Sequence, residues 1–533
     1  MGKHHVFING KVFTSNREKL YADAFITEDG VISWIGRQED LPETDGPVTD
    51  LKGKRVIPGF VDCHMHPTIL ADCYKKISCL PPKINSIEEL IEAIREERSN
   101  LDGRAWIEGW GYDEGKLKEH RAPNRYDLDK GAADVPISLL RTCAHMRAVN
   151  SKALELAGIT KDTPDPPGGQ IDRDENGEPT GILRENARNL VAEILPKDSR
   201  EAEVAKLVDL GEILLSQGIV AITDMGCVDA TDYYDYYTEA AAKGLKQTVG
   251  IYYMWDLVSE KGDFTWNEAR ADRSNQIQIN GLKLLADGSV SGHTAWMSRP
   301  YKGTKDDYGI SVCSDEELDS AIEFCKEHHC QLSVHAMGAR AIQRIIDRVY
   351  DEENWMNSSV PHLRMEHITE PSEDSIKKAA EKKIAFATQP IFLYSEIESY
   401  LLNLGEDWMK ETYPIDHLLE SGVKVALSTD APATSWAVPS DPFPNIKGAV
   451  TRTAYDGTDC SAAHSIDIET AIQLYTREGA EVAGFEKIGQ LREGYRACFA
   501  VLNEDILTID PQRIDQVYVE ETWIDGTRVY ARR

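Results

Sequence analysis

No C-x-x-C pair occurs anywhere in this chain, although it contains ten cysteines. That absence excludes a zinc ribbon and a dense disulfide framework, both of which need thiols at close, regular spacing. The scattered cysteines instead predict free, mostly buried thiols in a reducing compartment. No apolar run is long enough to span a bilayer. The opening residues, MGKHHVFING, lack the apolar stretch of a secretory signal. They begin Met-Gly, but Val6 stands where a myristoylation signal needs Ser or Thr. Positive charge is also scarce: 59 basic residues against 90 acidic ones give a net charge of −31. Such a surface repels nucleic acid and anionic membranes and favours solubility. These absences predict a cytoplasmic protein with neither nucleic acid nor membrane as partner. A homodimer is the default expectation for its assembly.

With 533 residues, 41% hydrophobic and 28% charged, the chain is expected to form two or three domains of ordinary globular composition. Residues 4 to 55 read as short strands with hairpin dipeptides at Asn9-Gly10 and Asp29-Gly30. The C-terminus has the same texture in ACFAVLNED, QVYVEETWIDG and TRVYARR. Both ends, 1–56 and 486–533, are therefore expected to build one small sheet domain.

Between them strand and helix alternate over 57–485. Eight strand candidates run from 56–66 through GIVAITDMG, TVGIYYMWD, INGLKLLADGS, CQLSVHAMG, HLRMEHI and KIAFATQ to VKVALSTDAP. Amphipathic segments such as DEELDSAIEFCKEHH and SEDSIKKAAEKK lie between most of them. Eight such repeats predict an α/β fold, a closed (β/α)8 TIM barrel. The long gap after the first strand places an insertion at about 73–190, above the barrel mouth, carrying GWGYDEG and TPDPPGGQ.

The first barrel strand ends in VIPGFVDCHMHP. Residues two apart share one face of a strand, so His64 and His66 would aim both imidazoles at one point, as a metal site requires. The other strand ends carry Lys283, His335, His367 and Asp430. In a (β/α)8 barrel these ends converge on the catalytic face. A set spread over five strands is far more specific than one H-x-H pair.

The chain resembles the amidohydrolase superfamily, and within it the amidohydrolase 3 group of YtcJ-like proteins and N-substituted formamide deformylases. The resemblance rests on VIPGFVDCHMHP, HMRAVNSKALELAGITKDTPDPPGG, GEPTGILRENA, LKLLADGSVSGHTA, SVHAMGARAI, MEHI and STDAP. One departure is Ala497-Cys498, where the family usually has Ala-Asp; it falls in the sheet domain. The resemblance implies a barrel with an attached β-sandwich. It further implies that His64, His66, His335, His367 and Asp430 are metal ligands, with Asp430 also taking the proton of the attacking water. Lys283 would join them as a CO2-derived carbamate, because an ammonium has no lone pair to offer a cation. The expected metal is Zn2+, one or two ions, with other divalent transition metals also suited to these ligands.

His145 matches a family histidine and is a candidate to bind the substrate carbonyl. Asp287 and Ser289 follow the Lys283 strand and are candidates for the pocket floor; an ordinary turn is the plainer reading. Trp110, Tyr112, Trp296 and Trp436 are candidate aromatic lining. The expected reaction is hydrolysis of a C–N bond in an N-substituted amide, formamide or related small molecule. Two alternatives are a heterocyclic amine deaminase of the same superfamily and a non-catalytic scaffold. Such deaminases carry a glutamate three residues after the strand-5 histidine, where this chain has Gly338.

Overall fold

A computed structural model describes residues 4–101, 103–142, 145–226, 233–261 and 266–533. The chain divides into two compact units, one of Met1–Pro67, Leu207–Ala431 and Ser440–Arg533, the other of Thr68–Lys206 with Pro432–Pro439.

In the first unit, eight strands follow one another in a single sheet: β1 (Phe60–Met65), β2 (Ile219–Asp224), β3 (Thr248–Met254), β4 (Ile277–Leu285), β5 (Gln331–Ala336), β6 (Leu363–His367), β7 (Ala385–Thr388) and β8 (Lys424–Leu427). All seven neighbouring pairs are parallel. They are buried almost throughout, which is why they read as continuous apolar runs rather than alternating ones. The barrel closes just past the end of β8, where Asp430 N–H donates to His64 O and His66 N–H donates to Ala431 O, both at 2.8 Å.

The helices between strands start where the sequence supplies caps. Asp315–His328 opens with a reciprocal Ser314–Glu317 capping box and stops at His329 in the left-handed region. Glu373–Lys382 is capped by Ser372 in the same region of its sequence that reads SEDSIKKAAEKK. Among the described residues, no helix is long and apolar enough to cross a membrane.

The two chain ends form two sheets around a common aromatic core. A four-stranded sheet holds Val31–Gly36, Ala24–Glu28, His4–Ile8 and Val48–Asp50. A six-stranded one holds Thr527–Ala531, Val519–Ile524, Phe499–Leu502, Arg55–Pro58, Lys11–Phe13 and Tyr21–Ala22. Phe7 stacks on Phe25 at 4.5 Å, and Phe499 on Trp523 at 5.4 Å.

Two sequence expectations need correction. Asp29-Gly30 is indeed a two-residue hairpin turn, with both φ angles positive and Glu28 opposite Val31. Asn9-Gly10 is not, because His4–Ile8 and Lys11–Phe13 pair into different sheets. The dipeptide carries the chain from one sheet to the other, and Gly10 is held by its N–H to Asp23 O at 2.9 Å. The 56–66 strand is likewise two strands, Arg55–Pro58 in the sandwich and β1 in the barrel. They part at Gly59, where a Cβ would meet Val220 Cγ1 at 2.4 Å.

The second unit has its own six-stranded sheet, in the order Gly169–Arg173, Pro179–Glu185, Met146–Val149, Ile137–Arg141, Ile107–Tyr112 and Ile77–Ser78. Its core packs Ile87, Leu90, Ile94 and Leu128 from two helices against Ile107, Ile137 and Leu139 from the sheet.

Candidate metal centre

His64 stands at the end of β1, two residues before His66. Their Nε2 atoms each lie 3.2 Å from Asp430 Oδ1. His367, at the end of β6, lies with its ring 4.9 Å from that of His64 and 4.4 Å from that of His335. One ligand atom from each of His64, His367 and Asp430 falls within 4.8 Å of the others, and all three residues are buried. Lys283 sits on β4 opposite Ser333, with 2% of its surface exposed, and Leu285 is opposite His335. The backbone turns sharply at this level: His367, Ile368 and Asp430 have φ of 75°, 52° and 59°. Such angles, least favourable for the β-branched Ile368, cost about 1–3 kcal/mol each and collect at functional sites.

The hydrogen bonds fix which nitrogen of each imidazole is free. His64 Nδ1–H donates to Glu366 Oε2 at 2.6 Å, and His66 Nδ1–H to the Gly226 carbonyl at 2.9 Å. His367 Nδ1–H donates to Gln389 Oε1 at 2.8 Å, an orientation set by Gln389 Nε2 donating to Ser428 Oγ. His335 donates through Nε2–H to the Gly288 carbonyl at 2.8 Å. Carbonyl and carboxylate oxygens only accept, so each ring keeps a lone pair on its other nitrogen. Asp430 Oδ1 is buried without a hydrogen-bond partner among the described residues, and it faces two of those lone pairs. Acceptors gathered around one point with their opposite nitrogens tied to fixed oxygens are the donor set of a divalent cation. The residues present therefore fit a metal.

Charge and burial set the protonation states. Burial pushes the Asp430 carboxyl up, but His64, His66 and His367 outweigh it and hold the group well below the usual carboxylate range. Burial, with Lys283 nearby, lowers His335 to about 4, and burial beside His335 lowers His367 well below its ordinary value. Burial also depresses His66, yet the adjoining Asp430 carboxylate leaves it raised. Desolvation brings the Lys283 amine down to about 8, against the pull of Glu366 and Asp430. Its Nζ has no hydrogen-bond partner among the described residues.

The outer candidates divide between the two units. The Asp287 carboxylate is buried and takes three backbone N–H bonds, from Trp296 and Gly338 at 2.8 Å and Met337 at 3.0 Å. It also approaches His335 Nε2 at 3.6 Å. Ser289 shapes the turn after β4 by accepting from Gly292 N–H. Trp296 is half-buried. His145, Trp110, Tyr112 and Trp436 belong to the second unit. There His145 is exposed and donates to Glu185 at 3.0 Å, Trp110 packs with Cys73, Leu80 and Ala437, and Tyr112 is fully buried.

Sequence reading missed Arg364, Glu366, Gln389 and Asp62. Arg364 and Glu366 grip one another at 2.5 Å, wholly buried. Asp62 binds Thr429 N–H and its hydroxyl, tying β1 to the segment that carries Asp430. A usable signal was present: LRMEH places two opposite charges two residues apart in an otherwise apolar strand.

Comparison with known proteins gives the same assignment. The putative amidohydrolase YtcJ of Bacillus subtilis (strain 168) is 30% identical over 541 aligned residues, spanning 99% of each chain. The N-substituted formamide deformylase of Arthrobacter pascens is 26% identical, spanning 99% of this chain and 98% of its own. The crystal structure of an uncharacterized metal-dependent hydrolase from Pyrococcus horikoshii OT3 is 25% identical, with a TM-score of 0.72 over 96% of this chain and 99% of that one. Residues 47–530 match the model of the amidohydrolase family. The chain belongs to the amidohydrolase family and is a metal-dependent hydrolase of carbon–nitrogen bonds.

Proposed function

We propose that this enzyme hydrolyses the C–N bond of an N-substituted amide, formamide or related small molecule, with zinc held by His64, His66, His335, His367 and Asp430. The observation that carries the reading is the set of four imidazoles, each tied at one nitrogen to a fixed oxygen, of which His64 and His66 face the unpartnered Asp430 Oδ1 while His64, His367 and Asp430 bring ligand atoms within 4.8 Å of one another. A bound divalent cation supplies Lewis acidity, which brings the pKa of a water towards ~7 and polarises a carbonyl. Asp430 does the proton work: its ionised carboxylate accepts a proton from the attacking water and delivers it to the leaving nitrogen. The carboxyl product keeps the oxygen of that water, and the amine leaves neutral.

Lys283 completes the ligand set as a carbamate. Its amine, brought down to about 8 by burial, has a larger neutral fraction at physiological pH than an ordinary lysine, and the neutral form is the one that reacts. The nitrogen bonds to the carbon of CO2 and loses a proton, turning a cation into an anion with two oxygens. That change removes the desolvation and like-charge penalties of a bare ammonium beside a metal. Carbon-13 NMR of protein equilibrated with labelled CO2 should show the carbamate signal, and Lys283→Ala should abolish it. The same variant should lose activity and at least one metal, with small carboxylic acids partly restoring both. A carbamate-free protein with full activity would remove Lys283 from the ligand set.

A deaminase reading is opposed by Gly338. A Cβ there would lie 2.2 Å from Trp296 C and O, so the glutamate used by deaminases does not fit. The net charge of −31 favours a neutral or cationic small substrate over nucleic acid or a membrane surface. We place the protein in the cytoplasm, as a homodimer.

The deciding experiment is elemental analysis of the purified protein, followed by chelation and re-addition of zinc. The assay follows amine release from a panel of N-substituted formamides and acetamides. Hydrolysis should vanish with the metal and return with it; undiminished turnover in verified metal-free protein would refute the proposal.

A further inference from the structure

A chain of buried polar groups runs through the barrel interior from its floor to His64. At the floor, Gln331 Nε2 donates to Pro361 O at 2.6 Å and to Val482 O at 3.0 Å. Val482 lies in the last turn of the helix Arg477–Ala483. The Tyr252 hydroxyl donates to Gln331 Oε1, and Arg364 Nη1 reaches that hydroxyl at 3.5 Å. Arg364 then donates to Glu366 through Nε at 2.5 Å and Nη2 at 2.9 Å, while Nη2 also bonds Cys63 O at 2.6 Å. Ser333 Oγ donates to Glu366 Oε1 at 2.7 Å, and His64 Nδ1–H to Oε2 at 2.6 Å. Every side chain in this chain is 0 or 1% exposed.

The Glu366 carboxylate thus receives four donors, the full number its lone pairs can take. None of its capacity is left for a ligand, and it lies one residue before His367 in the sequence. Arg364, with its planar fork on the carboxylate and a third bond to the β1 backbone, fixes where that carboxylate stands. We propose that Glu366 is a positioning residue for His64, anchored by Arg364, and that it commits His64 to the tautomer whose Nε2 lone pair faces the metal centre. The inference rests on His64 being a metal ligand, as proposed above.

The choice of glutamate over glutamine follows from the donor count. A glutamine at 366 would turn an N–H2 group toward an Arg364 donor whichever way it faced, together with Ser333 on one side or His64 on the other. Facing His64, it would make Nδ1 an acceptor and move the ring proton to Nε2, blocking the ligand position. Either way it would oppose donor to donor at Arg364 and leave the buried guanidinium without an anion.

Three measurements separate the outcomes. In wild-type protein labelled with 15N-histidine, long-range 1H–15N spectra should show His64 protonated at Nδ1 and not at Nε2, before and after zinc is added. Observation of the Nε2–H form in the metal-free protein would overturn the proposal without any variant. Zinc affinity, measured by competition with a chromophoric chelator, should fall about 10–100-fold in Glu366→Gln. Should that variant not fold, the apolar pair Arg364→Met with Glu366→Met removes both charges and should fold while keeping the affinity deficit. Wild-type zinc affinity in either folded variant would overturn the proposal. His64→Ala is the control for the underlying reading: if it retains full zinc affinity, His64 is no ligand and the proposed ligand set fails. If it loses zinc while Glu366→Gln does not, the positioning role alone fails.

Discussion

At Asp430 one carboxylate oxygen lies 3.2 Å from two imidazole nitrogens, and the group stays ionised despite burial because three histidines surround it. Asp430→Asn should keep most of the fold but lose about 10²–10⁴-fold in kcat, since an amide cannot take up the water proton. Wild-type kcat in the folded variant, read with its circular dichroism spectrum, would remove the proton role. A second residue tests stability rather than chemistry. His362, at the floor end of the barrel, is 1% exposed, stands edge-on to Trp355 at 4.4 Å, and has neither ring nitrogen bonded among the described residues. Burial, reinforced by Lys382, lowers it to about 4. The unfolded chain therefore binds this proton more tightly than the folded one, and stability falls as pH drops from about 6.5 toward about 4. His362→Phe removes that slope. Its stability advantage over wild type in urea titrations should grow across this window, by on the order of 1–3 kcal/mol. A constant difference between pH 7 and pH 4 would show that His362 is not the titrating group.

Asp287 works at the scale of elements, since its two oxygens hold the turn after β4 to the turn after β5 through Trp296, Met337 and Gly338. Asp287→Asn leaves one oxygen and turns an N–H2 toward at least one buried backbone N–H. Each donor orphaned costs about 1–3 kcal/mol, so the variant should unfold at markedly lower denaturant concentration. Unchanged stability would mean the two turns hold each other without the carboxylate. The same scale shows what the sequence made legible. All eight barrel strands could be read because a parallel strand buried on both faces is a bare apolar run. The residues His64, His66, Lys283, His335, His367 and Asp430 stood out because each interrupts such a run at its C-terminal end. Glu366 and Arg364 were missed because their partners, His64, Ser333 and Cys63, come from other strands, and only inter-strand register brings them together. Asn9-Gly10 misled for a related reason. Local turn chemistry was right, but which sheets the flanking strands join is decided by their partners at Ala24–Glu28 and Arg55–Pro58.

For the whole molecule, the net charge of −31 means that folding compacts a chain that repels itself. Many acidic side chains are paired locally, as in Arg344–Asp315 and Arg348–Asp319, but exposed pairs of this kind contribute little each. Salt shortens the range of the remaining repulsion to about 10 Å at 0.1 M. Raising monovalent salt from about 0.01 M to about 0.5 M should therefore raise the Tm by a few degrees, measured by calorimetry at constant metal. A falling Tm would show that attractive pairs dominate instead. The barrel seam has a further consequence, for biosynthesis. The bonds that close the barrel, from Asp430 to His64 and from His66 to Ala431, join the first and last strands through residues of the proposed metal centre. A nascent chain that has delivered only the first seven strands holds His64 and His66 but cannot yet face them with Asp430. Completion of the proposed site must then wait until translation has passed residue 430, so a ribosome stalled earlier carries a barrel that lacks both its closing bonds and the Asp430 carboxylate.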